Sequence, residues 1–238
     1  MTIQNQYGQP VGAPLEDWQP RSHPARVTLS GRYCRLEPLN RKHAPALFAA
    51  HSQAEDARHW TWLPREKDDS VEGYQQWVTG TEALNDPLHF AVIDINNGLP
   101  VGSLALMRIE PAVGVVEVGH VHFSPLLSRT PMATEAQWLL MRYAFETLGY
   151  RRYEWKCDSL NAPSRRAALR LGFQFEGCFR QARVVKGRNR DTDWFSIIDG
   201  EWPAVDRALQ NWLAIDNFNA DGSQKRTLES WRQMPEQN

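Results

Sequence analysis

One carboxylate stands out in the middle of a predicted strand, 115–123. Glu117 could act as a general base, and alternation along the strand places on its face Gly119, Val121 and Phe123. Such a mostly apolar face would raise the pKa of the carboxyl group and suit it for proton transfer through water. The alternative is a structural role, in which Glu117 forms a salt bridge at the strand edge.

Histidine and cysteine are the other residue types here that could do chemistry. His120 and His122 share a strand face, as metal ligands can, but the sequence shows no third ligand, so we expect no metal site. Cys34, Cys157 and Cys178 lack the close paired spacing of a zinc site or a disulfide framework. We expect three buried thiols in a reducing compartment.

The loop that follows the strand could bind a phosphate. It leads into a predicted helix, 135–148, and the first N–H groups of a helix carry partial positive charge and lack intrahelical partners. The loop contains no glycine, and Pro131 has no N–H to donate, which excludes a Rossmann or P-loop site. The residues that would contact the phosphates are Arg129, Thr130, Met132, Ala133 and Thr134.

Length and composition are those of a globular protein with one domain and appendages. The chain has 238 residues, 42% of them hydrophobic and 23% charged. A net charge of −1 makes nucleic acid an unlikely partner and gives no attraction to a membrane surface. We find no signal peptide and no apolar run near the ~20 residues that span a bilayer, so we expect a cytoplasmic protein.

The predicted elements follow the order strand, two helices, three strands, helix, strand, helix, two strands and a final helix. This order indicates a mixed α/β domain. We divide the chain into an extended N-terminal arm (1–28), a main domain (29–200), and a C-terminal helix with a polar tail (201–238). Four prolines exclude a regular helix in the arm.

A second motif lies in the main domain. Asn161-Ala162-Pro163-Ser164 opens a short helix that closes with Leu171-Gly172-Phe173. Together with the strand, loop and helix of 117–148, this pattern resembles the GNAT superfamily of N-acetyltransferases. Within that superfamily it is most similar to the branch of ribosomal-protein N-terminal (Rim-type) acetyltransferases. The resemblance covers 33–199 and departs from the superfamily at 129–134, where the usual glycines are missing.

The resemblance implies a mostly antiparallel central sheet flanked by helices. It also implies transfer of an acetyl group from the cosubstrate acetyl-CoA to a primary amine, by direct attack in a ternary complex. The pantetheine arm would pair with the backbone of one strand, and Asn161 would contact it. Arg166, or Arg165 beside it, would hold the 3′-phosphate. The strand residues concerned are Val121, His122 and Phe123.

The same resemblance assigns two catalytic roles. Glu117 matches the strand position of the catalytic glutamate in some superfamily members and would take the proton of the amine. Ser164 matches the serine of the ribosomal-protein branch and would protonate the leaving thiolate, although it could instead only stabilise the helix start. Asp191 and Asp193, beside a basic turn, are rival bases or amine-binding groups.

The acceptor amine would lie between the first two predicted helices and the last hairpin. Trp60, Trp62 and Trp77 fall in that region and suit a cation or a peptide end, with core packing as the alternative. Three functions stay open: acetylation of a protein N-terminal α-amine of the ribosomal-protein serine or alanine type, acetylation of a small amine (amino acid, polyamine or antibiotic), or a non-catalytic module that binds coenzyme A. A homodimer is also left open.

Overall fold

The computed structural model describes residues 2–234. Across this range the helices are α1 (Ala44–Ser52), α2 (Val71–Thr81), α3 (Pro131–Arg142), α4 (Ala162–Leu171), α5 (Trp202–Leu213) and α6 (Leu228–Arg232). The first strands are β1 (Thr2–Gln4), β2 (Pro10–Gly12), β3 (Leu29–Ser30), β4 (Cys34–Pro38) and β5 (Leu88–Asp94). The others are β6 (Pro100–Glu110), β7 (Val115–Phe123), β8 (Arg152–Asp158), β9 (Gln174–Val185) and β10 (Arg188–Ile198).

In the described chain, strands β3 to β10 form one eight-stranded sheet, and β1 and β2 pair separately. The order across the sheet is β3-β4-β5-β6-β7-β8-β10-β9. Strands β7 and β8 run parallel, and the other neighbours in the sheet run antiparallel. The predicted fold class, a mixed α/β domain with a mostly antiparallel sheet flanked by helices, is confirmed.

Helices cover both faces of this sheet. Phe90 and Val92 of β5 pack in the larger core, together with residues of α3, α4 and α5. The intervening residues, Ala91 and Ile93, pack in a second core with residues of α1 and α2. Since successive strand residues point to opposite faces, the sheet separates α3, α4 and α5 from α1 and α2.

Local sequence explains where the two site helices begin. Helix α3 starts at Pro131, earlier than predicted, because a proline is tolerated in the first turn and the Thr130 side chain caps the helix. Helix α4 is capped by Asn161 and ends at Gly172, as predicted. Gly172 has a φ of 108°, and a Cβ there would lie 3.0 Å from Val205, so glycine is required at this position.

The buried carboxylate of Glu135 connects α3 to the start of β4. Glu135 is 1% exposed and accepts hydrogen bonds from three successive backbone N–H groups. The donors are Arg32 at 2.6 Å, Tyr33 at 2.7 Å and Cys34 at 2.7 Å. Glu135 thereby satisfies the backbone at the turn into β4 and fixes α3 against the edge of the sheet.

The terminal segments pack on the domain in the described range. In the N-terminal arm, Trp18 donates from Nε1 to the Ala112 carbonyl at 3.0 Å. In the C-terminal tail, Leu228 is 1% exposed and belongs to the larger core. No helix within residues 2–234 is long and apolar enough to cross a lipid bilayer.

The prediction of three buried thiols is wrong in one case. Cys34 and Cys157 are buried, but Cys178 is exposed. Cys178 lies on β9, the outermost strand of the sheet, whose side chains are almost all solvent-accessible.

Candidate active site

The two parallel strands β7 and β8 separate partway along their length. Within the described residues, their ladder joins Val115–Val118 to Arg152–Trp155 and does not continue beyond them. From Gly119 to Phe123, β7 is paired with β6 on its other side. The backbone groups of this segment that face β8 are therefore an open edge, with which an extended chain could pair.

A β-bulge interrupts β7 at the start of this open edge. Between Gly119 and His122 the strand advances three positions, whereas its partner advances two, from Ala105 to Ser103. His120, inside the bulge, has a φ of 49°. An extra residue of this kind bends the strand and reverses its alternation.

The bulge overturns the predicted face of Glu117. Val121 and Phe123 pack against the larger core, on the same side as Val118. Glu117 precedes Val118 and points to the opposite face, so the prediction that it shares a face with Val121 and Phe123 is wrong. Only Gly119, which precedes the bulge, remains beside the carboxylate.

The surroundings of Glu117 also differ from the expected apolar surface. Its side chain is 5% exposed and forms ion pairs with Arg108 and with Lys156, whose Nζ lies 2.9 Å from Oε2. Both contacts use Oε2. The other oxygen, Oε1, accepts no hydrogen bond from any residue of 2–234 and lies 3.7 Å from where a Cβ on Gly119 would stand. The free oxygen thus faces the bulge and the open edge.

The start of α3 offers less to a phosphate than predicted. Arg129 is exposed, with a φ of 64°. The Thr130 hydroxyl donates to the Leu127 carbonyl at 2.6 Å and caps the helix. Thr134 is 4% exposed, and its hydroxyl accepts from Arg170 Nη1 at 3.0 Å; because burial keeps it from a bound phosphate, its expected role as a phosphate donor is not supported. Met132 and Ala133 are partly buried against the larger core.

The start of α4 lies at the end of β8. Asn161 Oδ1 accepts from the Ser164 N–H at 3.1 Å, which is the helix-capping role. The Ser164 hydroxyl accepts from Trp155 Nε1 at 3.0 Å. Arg166 is exposed, whereas Arg165 forms an ion pair with Asp193. Of the two arginines proposed for the 3′-phosphate, Arg166 is therefore the freer one.

The two aspartates of β10 do not lie beside Glu117. Asp193 is 1% exposed and pairs across the ladder with Cys157, which packs in the larger core on the other face. Asp191 accepts from the Gln181 N–H at 2.7 Å and from Asn189 at 3.0 Å, and these bonds lower the pKa of its carboxyl group. Asp193 has one oxygen, Oδ1, without a hydrogen-bond partner in the described structure, but it lies behind the sheet, and Asp191 is engaged within the hairpin, so the structure does not support either as a base.

Two of the three predicted tryptophans, Trp60 and Trp77, pack in an aromatic cluster on the Glu117 face. The His122 ring stacks on His51, with ring centroids 3.7 Å apart, and Trp60 meets His122 edge-on at 4.9 Å. Trp77 contacts His89 at 5.8 Å. Trp60 is 2% exposed, which favours the core-packing interpretation for this residue. Trp62 is partly exposed.

His51 and His89 also belong to this cluster, and neither was predicted as a site residue. Burial lowers the pKa of His51 and of His89 to about 3 and that of His122 to about 2, so all three are neutral at physiological pH. Both ring nitrogens of His89 and His122 lack hydrogen-bond partners in the described structure. Across residues 2–234, no group of three or more His, Cys, Asp or Glu side chains could hold a metal ion.

Comparison with known proteins identifies this architecture. Residues 34–174 match the family model described as an acetyltransferase (GNAT) domain. The chain belongs to the GNAT acetyltransferase family. This membership confirms the predicted superfamily and the predicted class of enzyme, an N-acetyltransferase, and the family uses acetyl-CoA.

Two solved structures of GNAT proteins are similar to this chain over most of its length. A GCN5-related N-acetyltransferase from Brucella melitensis is 52% identical, with a TM-score of 0.91, and the match covers 92% of this chain and 100% of that one. A probable acetyltransferase of the GNAT family from Chromobacterium violaceum is 42% identical, with a TM-score of 0.76, over 82% of this chain and 98% of that one.

One curated relative bears on the predicted branch. The ribosomal-protein-serine acetyltransferase of Escherichia coli K12 is 30% identical over 102 residues. This match covers 42% of the chain and 56% of that relative, a little over half its length. It agrees with the predicted Rim-type branch at modest identity.

Proposed function

We propose that this GNAT protein acetylates the α-amine at a protein N-terminus, by direct attack of the amine on acetyl-CoA in a ternary complex. The observation that supports it most is the open edge of β7, with the unpaired oxygen of Glu117 facing its first residues. The similarity to a ribosomal-protein-serine acetyltransferase favours a peptide acceptor.

The open edge fits the pantetheine arm, which carries amide groups and can pair as a strand would. Acetyl-CoA supplies an activated acetyl thioester. The backbone of Val121, His122 and Phe123 would hold the arm, and Asn161 would contact it from the start of α4. A backbone N–H on the same edge would stabilise the negative charge that develops on the carbonyl oxygen.

The phosphates would bind where α3 and α4 begin. Arg129 is exposed and has no carboxylate partner among residues 2–234. The N–H of Met132, at the second position of α3, has no intrahelical acceptor by helix geometry. These two groups would grip the diphosphate, and Arg166 would hold the 3′-phosphate.

The proton transfers follow from two side chains. Glu117 Oε1 would take the proton of the amine, directly or through one water, while Arg108 and Lys156 fix the carboxylate through Oε2. The Ser164 oxygen accepts from Trp155, and its own O–H, which also reaches the Cys157 sulfur, would donate to the departing sulfur. The amine thus loses a proton and the thiolate gains one.

The variant Glu117→Gln tests this mechanism. We expect kcat for peptide acetylation to fall by about 10²–10⁴-fold, because the amide cannot accept the proton. Thiol release from acetyl-CoA with a peptide panel is the measurement. The matched control is Glu154→Gln, which removes a carboxylate from the same ion-pair network, since Lys156 Nζ also lies 2.6 Å from Glu154. Equal losses in both variants would show that Glu117 acts only through the network.

The choice of acceptor is tested by the same assay with free amines. The enzyme could release thiol with amino acids, polyamines or amino-bearing antibiotics but with no peptide. That result would indicate that the acceptor is a small amine and not a peptide. Binding of acetyl-CoA without turnover of any amine would instead indicate a non-catalytic module. Cell fractionation would test the proposed cytoplasmic location. Sedimentation would test the homodimer that the sequence leaves open.

A further inference from the structure

Most carboxylates on the Glu117 face of the sheet are paired with cations. In the described chain, Glu66 pairs with Lys186, Asp68 with Arg65, Glu117 with Arg108 and Lys156, and Glu154 with Arg152 and Lys156. Four arginines of the β9–β10 hairpin have no carboxylate within 4.0 Å among residues 2–234: Arg180, Arg183, Arg188 and Arg190.

Two of these arginines stand directly opposite each other. Arg183 of β9 and Arg190 of β10 are partners in the ladder, so their side chains share a face and repel. Arg190 Nε is buried and has no hydrogen-bond partner in the described structure. Burial lowers the pKa of Arg190; the charge of Asp158 opposes this effect, and the charge of Arg183 adds to it. A bound anion would relieve the repulsion and satisfy the buried N–H.

The pair lies on the face where the acceptor is proposed to bind. Trp194 follows Arg190 by four residues on β10 and therefore shares its face. The ring of Trp194 lies 3.7 Å from Lys156 Nζ, which is paired with Glu117. Helices α3 and α4, at which the phosphates would bind, pack on the opposite face, so an anion at this pair belongs to the acceptor.

The tip of the same hairpin reaches the aromatic cluster. Lys186 Nζ donates to the Trp60 carbonyl at 2.8 Å and pairs with Glu66 at 2.9 Å. The imidazoles of the cluster are neutral, so they offer no negative charge to a polycationic acceptor. Arg183 and Arg188 are exposed along the hairpin, and this open surface suits an extended peptide better than an enclosed small molecule.

We propose that Arg183 and Arg190 bind an acidic side chain of the acceptor peptide, so that the enzyme prefers protein N-termini with Asp or Glu within the first few residues. This inference rests on the proposed function. It names the acceptor class as an acidic N-terminal segment.

The experiment compares two peptides that differ only in charge, one with Asp and Glu at its second and third positions and one with Asn and Gln there. Each carries a fluorophore at its C-terminus, so that the α-amine stays free. Peptide binding is measured by anisotropy in the presence of CoA, and turnover by thiol release. The proteins are the wild type, the double variant R183Q/R190Q and the charge-removing control R41Q, an exposed arginine after β4, which lies near the opposite end of the strand order from the β9–β10 hairpin.

The wild type and R41Q should bind and turn over the acidic peptide about tenfold better than the amide peptide, which corresponds to one charge-assisted interaction. The ratio should fall to about one in R183Q/R190Q, with an unchanged KM for acetyl-CoA. Thermal unfolding shows whether the double variant is folded. If the double variant is unfolded, the preference of the wild type for the acidic peptide tests the inference by itself.

Three results would overturn the inference. The wild type could turn over both peptides equally, or the double variant could keep its preference. A raised KM for acetyl-CoA with the peptide ratio unchanged would show that the arginines serve the phosphates. Preferential binding of the acidic peptide without thiol release would support the arginine site while contradicting the proposed acetyl transfer, so the two failures are distinguishable.

Discussion

Glu117 and Ser164 show how much of a residue's role depends on its neighbours in space. Each was identified from its sequence motif. Each forms a structural contact and can still take part in proton transfer. Glu117 uses one oxygen for two cations and leaves the other free. Ser164 accepts from Trp155 and keeps its proton. These neighbours come from distant segments joined by the sheet register, so the sequence motif alone could not predict them.

Ser164→Ala separates the acid role from the structural one. If Ser164 protonates the leaving sulfur, kcat should fall about tenfold or more while KM for the peptide changes little. Loss of the bond from Trp155 should cost about 1 kcal/mol of unfolding free energy. Steady-state kinetics and thermal unfolding are the measurements.

The matched control for this variant is Ser52→Ala, which removes an exposed hydroxyl bonded at 2.8 Å to the Phe48 carbonyl on α1. Its kcat should stay at the wild-type value. If Ser164→Ala lowers stability and leaves kcat unchanged, Ser164 has only the structural role.

At the scale of elements, periodicity and turn and cap residues predicted the order from β4 to α5 correctly, but they did not predict the short strands β1 to β3 or helix α6. The bulge in β7 was not predicted either. His120 adopts a positive φ without the glycine that usually signals it, and the regular alternation of 117–123 hides the extra residue. The separation of β7 from β8 was equally invisible, because pairing between strands is a tertiary property.

The link between α3 and β4 gives a prediction at this scale. Glu135→Ala should leave the N–H groups of Arg32, Tyr33 and Cys34 without their acceptor, at a cost on the order of 3–5 kcal/mol of unfolding free energy. Denaturant unfolding measures this cost.

Glu82→Ala is the control for this variant, because it removes one bond at an exposed site, from the Arg41 N–H at 2.8 Å. It should cost less than about 1 kcal/mol. Similar losses in the two variants would contradict the account of Glu135 as the connection between helix and sheet.

For the whole molecule, the buried histidines predict how stability depends on pH. Their usual pKa is 6.5, and in the folded chain it is lowered to about 3 for His51 and His89 and to about 2 for His122. As the pH falls below 6.5, the unfolded chain binds protons that the folded chain does not. The stability contributed by these neutral rings is therefore fully present above 6.5 and is lost progressively down to about 3.

Each of these histidines should lower the unfolding free energy by about 1.4 kcal/mol per pH unit inside that window. Denaturant unfolding at steps between pH 7 and pH 5 measures the slope, above the range in which carboxylates such as Glu37, with a pKa of about 2, take up protons. His51→Gln should flatten the slope by roughly one histidine's share. An unchanged slope in this variant would mean that His51 is not held neutral by the fold.

Acetyl transfer to a peptide α-amine on the Glu117 face is the central claim for the molecule. Mass spectrometry of an N-terminal peptide incubated with acetyl-CoA and the full chain tests it most directly. We predict one acetyl group on the α-amine, formed at least 10²-fold more slowly by Glu117→Gln than by Glu154→Gln. A peptide that stays unmodified, or acetylation that proceeds equally in both variants, would contradict the account.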